Sequence, residues 1–258
     1  MYKEHSGKAI DLSTLFIFGG LTMPLSEDTL FFGYKEKMTE EQNIYVDSII
    51  DNKVTVVNAC AGTGKTTLAV ATARYLQMPL IYIFAPVQEK EMGYRKGTQA
   101  EKEREYTAPL VGALLDLGES PLHSIYDPDM ALDPRYKKEI EQREKTGDIW
   151  CYPRSHTFAR GINIEHQFVV IDEAQNFTRS ELRKVITRMH DDCKLVLIGH
   201  VGQCDLADPH MSGFKDYIEL YKTRDYAKVC NLTQNFRGEI SRDADKIDEF
   251  MAQINRNR

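Results

Sequence analysis

The chain of 258 residues has little cysteine, no long apolar run and no excess of positive charge. Its five cysteines, Cys60, Cys151, Cys193, Cys204 and Cys230, are scattered, odd in number and never spaced as C-x-x-C. That pattern excludes a disulfide frame and a structural zinc site, and reads as reduced thiols in a cytoplasmic protein. Apolar runs such as Leu15-Phe16-Ile17-Phe18 fall far short of a bilayer crossing or a signal-peptide core, so no membrane role is expected. A net charge of −6 excludes a protein that coats nucleic acid by bulk electrostatics, while leaving room for a local basic groove. Hydrophobic content of 42% and charged content of 28% are ordinary for one folded α/β domain with decorations.

What is present is a phosphate-binding loop. Ala59-Cys60-Ala61-Gly62-Thr63-Gly64-Lys65-Thr66 has the form [A/G]-x-x-x-x-G-K-[S/T]. It follows the β-branched run Val54-Thr55-Val56-Val57 and opens a helical pattern from Thr67 to Leu76. Strand, glycine-containing turn and helix start are the context such a loop requires. Small residues let successive N–H groups curl around an anion, and the helix N-terminus adds its positive end. The backbone of Ala61, Gly62, Thr63, Gly64, Lys65, Thr66 and Thr67 is therefore the expected phosphate cradle. Lys65 can reach the β- and γ-phosphates and the Thr66 hydroxyl can ligate Mg²⁺. Cys60 reads as a small space-filling residue of this loop, with redox sensitivity as the alternative.

The second half of the site is predicted at Phe168-Val169-Val170-Ile171-Asp172-Glu173, a buried apolar strand ending in two carboxylates. Asp172 is placed to hold Mg²⁺ through water, and Glu173 to polarise an attacking water as general base. A carboxylate pair some hundred residues after a phosphate loop is a specific signal, because Mg²⁺-dependent phosphoryl transfer needs both halves.

Other elements follow by periodicity. Thr39-Glu40-Glu41-Gln42 reads as a helix start; Gln42 is either the capping-box partner of Thr39 or an adenine reader. Leu80 to Ala85 is a buried strand, followed by a loop carrying Glu89, Arg95 and Lys96. A helix is predicted over 99–117 and a turn-rich surface excursion over about 118–148, including a charged helix at 135–145. Strands are predicted at 149–152, 194–199 and 229–232, and helices at 179–190, 213–222 and 240–254. Arg160 is a candidate phosphate or substrate contact, and Gln203, after the strand at 194–199, a candidate γ-phosphate sensor. In residues 1–38 two short strands or an arm are expected.

These residues carry a resemblance. The chain resembles a PhoH-family ATPase, related to the motor domain of superfamily 1 helicases. The matching segments are Ala61-Gly62-Thr63-Gly64-Lys65-Thr66, Asp172-Glu173-Ala174-Gln175-Asn176, Ile186-Thr187-Arg188-Met189 and Gly199-His200-Val201-Gly202-Gln203-Cys204-Asp205-Leu206. Leu232-Thr233-Gln234-Asn235-Phe236-Arg237 resembles the helicase L-x-x-N-[F/Y]-R motif, whose Arg faces the γ-phosphate. Two positions depart from the family pattern: its sensor acid is His200 here, and its R-P is Ala85-Pro86.

The resemblance implies a RecA-like P-loop NTPase of α/β class, with a mostly parallel central sheet flanked by helices. Residues 1–38 would be an N-terminal extension and 39–258 the ATPase domain. It implies Mg²⁺-dependent ATP hydrolysis coupled to single-stranded RNA or DNA, with ATP favoured over GTP. A single motor domain is expected, so the arginine finger, Arg237 or Arg188, comes in cis or from a neighbour in a homo-oligomer such as a ring hexamer. Two alternatives stand beside it. One is a nucleotide-gated binding module whose turnover His200 has reduced, and the other is a P-loop kinase, which would not require Glu173.

Overall fold

The structure, a computed structural model, describes residues 38–85, 106–159 and 162–256. Within these, six strands form one sheet: β1 (Val54–Ala59), β2 (Leu80–Phe84), β3 (Cys151–Ser155), β4 (Phe168–Ile171), β5 (Lys194–Gly199) and β6 (Ala227–Leu232). Their order is β3-β2-β4-β5-β1-β6, and every neighbouring pair is parallel. All six carboxyl ends therefore lie along one edge, where open α/β sheets bind their ligands.

Side chains alternate between the two faces with the strand period of two. Val57, Tyr82, Phe168, Val170, Val196 and Ile198 face α1 (Glu40–Asp51), α2 (Lys65–Tyr75) and α3 (Ala108–Asp116). Val56, Ile83, Val169, Ile171, Leu195 and Leu197 face the opposite layer. The central strands are buried on both faces, which is why they read as continuous apolar runs rather than alternating ones.

Residues 118–148 are more regular than the expected turn-rich excursion. They hold α4 (Pro121–Ser124), α5 (Pro128–Leu132) and α6 (Lys137–Thr146). Pro121 and Pro128, turn signals in the sequence, occupy the first helical position, where a missing N–H costs nothing. Arg143, in the charged helix, donates to the carbonyls of Leu122 and His123 and ties α6 to α4.

In the second layer α7 (Arg179–Ile186) is shorter than the predicted 179–190 because the backbone turns at Thr187. The chain then forms an isolated bridge between Met189 and Ile164 before entering β5. α8 (Phe214–Tyr221) follows, and the expected closing helix is two, α9 (Glu239–Asp245) and α10 (Ile247–Arg256), broken at Lys246. Strand β3 begins two residues later than expected, at Cys151 rather than Ile149. Residues 1–37 of the arm expected over 1–38, the loop with Glu89, Arg95 and Lys96, and Arg160 lie outside the described residues.

Candidate active site

The turn after β1 is shaped by two glycines in the left-handed region, Gly62 at φ 71° and Gly64 at φ 79°. Gly64 is the N-cap of α2, so the loop feeds directly into the first turn of that helix. The free N–H groups of that turn and its positive dipole end suit a phosphate. Thr63 is buried, and its hydroxyl donates to the Cys60 carbonyl, so it closes the loop internally and offers only its backbone outward. The Lys65 ammonium lies 3.5 Å from the Cys60 carbonyl, across the loop. The Thr67 hydroxyl is turned toward Asp116, at 3.4 Å.

Asp172 directly follows β4, within reach of α2. Its Oδ2 accepts from the Thr66 hydroxyl at 3.0 Å and from the Tyr82 hydroxyl at 2.6 Å; its Oδ1 accepts from the Glu173 N–H at 2.9 Å. Burial, and then the charge of Glu173, push its carboxyl above the usual carboxylate range, against the Tyr82 hydroxyl and the Lys65 charge. A divalent cation held there would offset that push, and the Thr66 hydroxyl and the Asp172 carboxylate, hard oxygens 3.0 Å apart, are donors of the kind Mg²⁺ takes.

Glu173 has φ 51° and ψ 44°, a left-handed conformation uncommon for a side chain of this size. The backbone thereby turns sharply after Asp172. A cavity of about 190 Å³ opens beside both residues, bounded by Tyr82, Phe84, Tyr106 and Pro109. A larger one, about 470 Å³, is lined by Pro79, Tyr152, Arg154 and Ile164 and contains no sequence-predicted site residue.

The remaining predicted residues divide. Gln42 realises the capping box: its Oε1 accepts from the Thr39 N–H at 3.0 Å, and its backbone N–H donates to the Thr39 hydroxyl. The Gln42 Nε2 also donates to the Thr63 carbonyl at 2.9 Å, bracing the phosphate loop. Arg237 is brought to the loop of its own chain. A Cβ on Gly62 would lie 2.7 Å from Arg237 Cγ and 2.7 Å from Asn235 Oδ1, and the Phe236 N–H donates to the Gly62 carbonyl at 2.9 Å. Thr233 anchors this segment to α1 by two hydrogen bonds to the Glu41 carboxylate.

Arg188 is not brought there. It is exposed beside the Ile164–Met189 bridge, ahead of the start of β5 and so at the amino edge of the sheet. Strands of four to six residues separate that edge from the loop, roughly 13–20 Å at ~3.3 Å per residue. Arg188 therefore does not serve the loop of its own chain, because the turn ending α7 places it at the wrong end of the strands. Gln203 is exposed on the turn after β5, and makes no hydrogen bond to the Lys65–Asp172 group among the described residues.

The structure also shows partners that residue type alone did not single out. The Asn176 amide pairs reciprocally with Asp205, donating to Oδ2 and accepting its N–H, while Cys204 Sγ lies 3.3 Å from the Gln175 carbonyl. The acidic segment and the turn after β5 are thus interlocked. The signal was present in the sequence, as the Gln175-Asn176 and Asp205 letters of two motifs, but nothing in either motif said that they bond to one another.

The sequence profile of the PhoH-like protein family matches residues 35–247. The chain belongs to the PhoH family. It is similar to the PhoH-like protein of Mycobacterium bovis, 31% identical over 201 residues, covering 76% of this chain and 52% of that protein. It is also similar to the PhoH-like protein of Bacillus subtilis, 26% identical over 247 residues, covering 88% of this chain and 72% of the relative. The chain spans about half the length of the mycobacterial relatives it matches. Among solved structures, the large terminase of a thermophilic bacteriophage in complex with ADP superposes with a TM-score of 0.50 at 13% identity, over 81% of this chain and 49% of that one. This likeness shows the fold, a RecA-like P-loop NTPase sheet. No described helix of this PhoH-family chain is long and apolar enough to cross a membrane.

Proposed function

We propose that this PhoH-family domain binds and hydrolyses ATP with Mg²⁺. The observation that carries the reading is the 3.0 Å approach of the Thr66 hydroxyl to Asp172, which joins the phosphate loop to the acidic strand as one centre. The loop backbone and Lys65 hold the phosphates. Thr66, and Asp172 through water, would hold a Mg²⁺ ion, which would neutralise charge developing on the phosphate oxygens. Glu173 takes a proton from water as the water oxygen bonds to the γ-phosphorus. The bond from that phosphorus to the β–γ bridging oxygen breaks, leaving ADP and phosphate. Arg237, exposed beside Gly62, supplies the finger in cis, a role worth on the order of 10³–10⁵ in rate elsewhere. Gln203 remains our candidate sensor, acting on a nucleotide rather than on the cluster itself. Coupling to single-stranded RNA or DNA follows from the resemblance to helicase motors, whereas a homo-oligomer such as a ring belongs to the alternative in which a neighbour supplies the finger.

The test is phosphate release from ATP with and without Mg²⁺, in the absence and presence of single-stranded RNA or DNA. Lys65→Ala and Glu173→Gln are assayed alongside. Mg²⁺-dependent turnover that both substitutions abolish and one polymer stimulates supports the reading. Nucleotide binding without turnover in the parent supports the gated module instead.

A further inference from the structure

Among the described residues, one side chain holds the Glu173 carboxylate. Gln175 Nε2 donates to Glu173 Oε2 at 2.6 Å, while Gln175 Oε1 accepts the backbone N–H of His200 at 3.1 Å. The direction of this bridge is not arbitrary. A backbone N–H can only donate, so the amide oxygen must face His200 and the NH₂ must face the carboxylate. Gln175 is 2% exposed, and the space it occupies exists because residue 199 is glycine. A Cβ on Gly199 would lie 2.8 Å from Gln175 Oε1 and 2.8 Å from the Phe214 ring. Three further contacts fix the frame around the bridge: the two bonds of the reciprocal Asn176–Asp205 pair and the approach of Cys204 Sγ to the Gln175 carbonyl.

We propose that Gln175 is a positioning residue that holds the Glu173 carboxylate and ties its orientation to the turn after β5. The inference rests on the reading of Glu173 as general base. It follows that a displacement of the 199–205 turn, which flanks the phosphate loop through β1, reaches the base by one side chain. Because position 200 contributes its backbone N–H, the bridge is independent of the side chain there. Histidine in place of the family's acid leaves it intact.

The test uses the full chain with Gln175→Leu and Gln175→Glu. The second variant is isosteric and can still accept from His200, but it has no donor for Glu173. Steady-state phosphate release and equilibrium titration with a fluorescent, hydrolysis-resistant ATP analogue are measured for each. Both variants are expected to lose about 10–100-fold in kcat, with KM and analogue affinity within about twofold of the parent. In a Glu173→Gln background, measured by single turnover, Gln175→Leu is expected to add less than about threefold, because the two act as a unit. Parental kcat in Gln175→Glu, or a double variant that loses the full product of the single effects, overturns the proposal. If Gln175→Leu does not fold, the isosteric variant decides. Inactive Glu173→Gln together with normal Gln175 variants defeats this proposal alone. Parental turnover in Glu173→Gln, or none in the parent, defeats the base assignment with it.

Discussion

Gly62 carries the tightest steric demand in the phosphate loop. Its φ of 71° disfavours any Cβ, and Arg237 Cγ and Asn235 Oδ1 fill the space at 2.7 Å. Gly62→Ala is expected to displace Arg237 and to weaken ATP-analogue binding at least about tenfold, near 1.4 kcal/mol, in a fluorescence titration. Lys194 acts on stability instead. Its ammonium donates to the carbonyls of Ile49, Ile50 and Asn52 at 2.9, 2.7 and 2.9 Å, closing the C-terminus of α1, although burial lowers its pKa. Lys194→Met removes all three donors and is expected to cost about 2 kcal/mol in urea denaturation, with nucleotide affinity unchanged. Lysine at the start of a strand gave no sequence signal for this, because the carbonyls it serves lie some 140 positions away.

Element α1 joins stability to the site. Thr39 caps it and Gln42 completes the box, but only Gln42 continues to the phosphate loop. Thr39→Ala is therefore expected to cost about 1 kcal/mol of stability and little affinity. Gln42→Ala is expected to cost a similar amount and to weaken nucleotide binding as well. Equal effects of both on nucleotide titrations would reduce the brace to a cap. The helix start at Thr39, the strands at 80–84, 168–171 and 194–199, and α2 were legible in the sequence because periodicity and capping are local. The end of α7, the break at Lys246 and the short helices at Pro121 and Pro128 were not. Their boundaries depend on how the chain re-enters the sheet or on packing from distant residues.

At the scale of the molecule, an all-parallel sheet gathers four separated segments at one edge: the loop after β1, Asp172-Glu173 after β4, the turn after β5, and 233–237 after β6. Motif order alone predicted that Lys65, Thr66, Asp172 and Glu173 would meet. The same order could not say whether Arg188 or Arg237 approaches the loop, because that depends on which strand end each follows. Removing Mg²⁺ with EDTA is expected to stop turnover by more than about tenfold while leaving measurable binding of the ATP analogue, since Lys65 and the loop N–H groups remain. The most direct test of the central claim is the identity of the bound nucleotide. Parent and Glu173→Gln proteins are incubated with ATP and Mg²⁺, separated from free nucleotide, denatured and assayed for ATP and ADP. ADP on the parent and retained ATP on Glu173→Gln are expected; ADP formed on both at the same rate would contradict hydrolysis through Glu173.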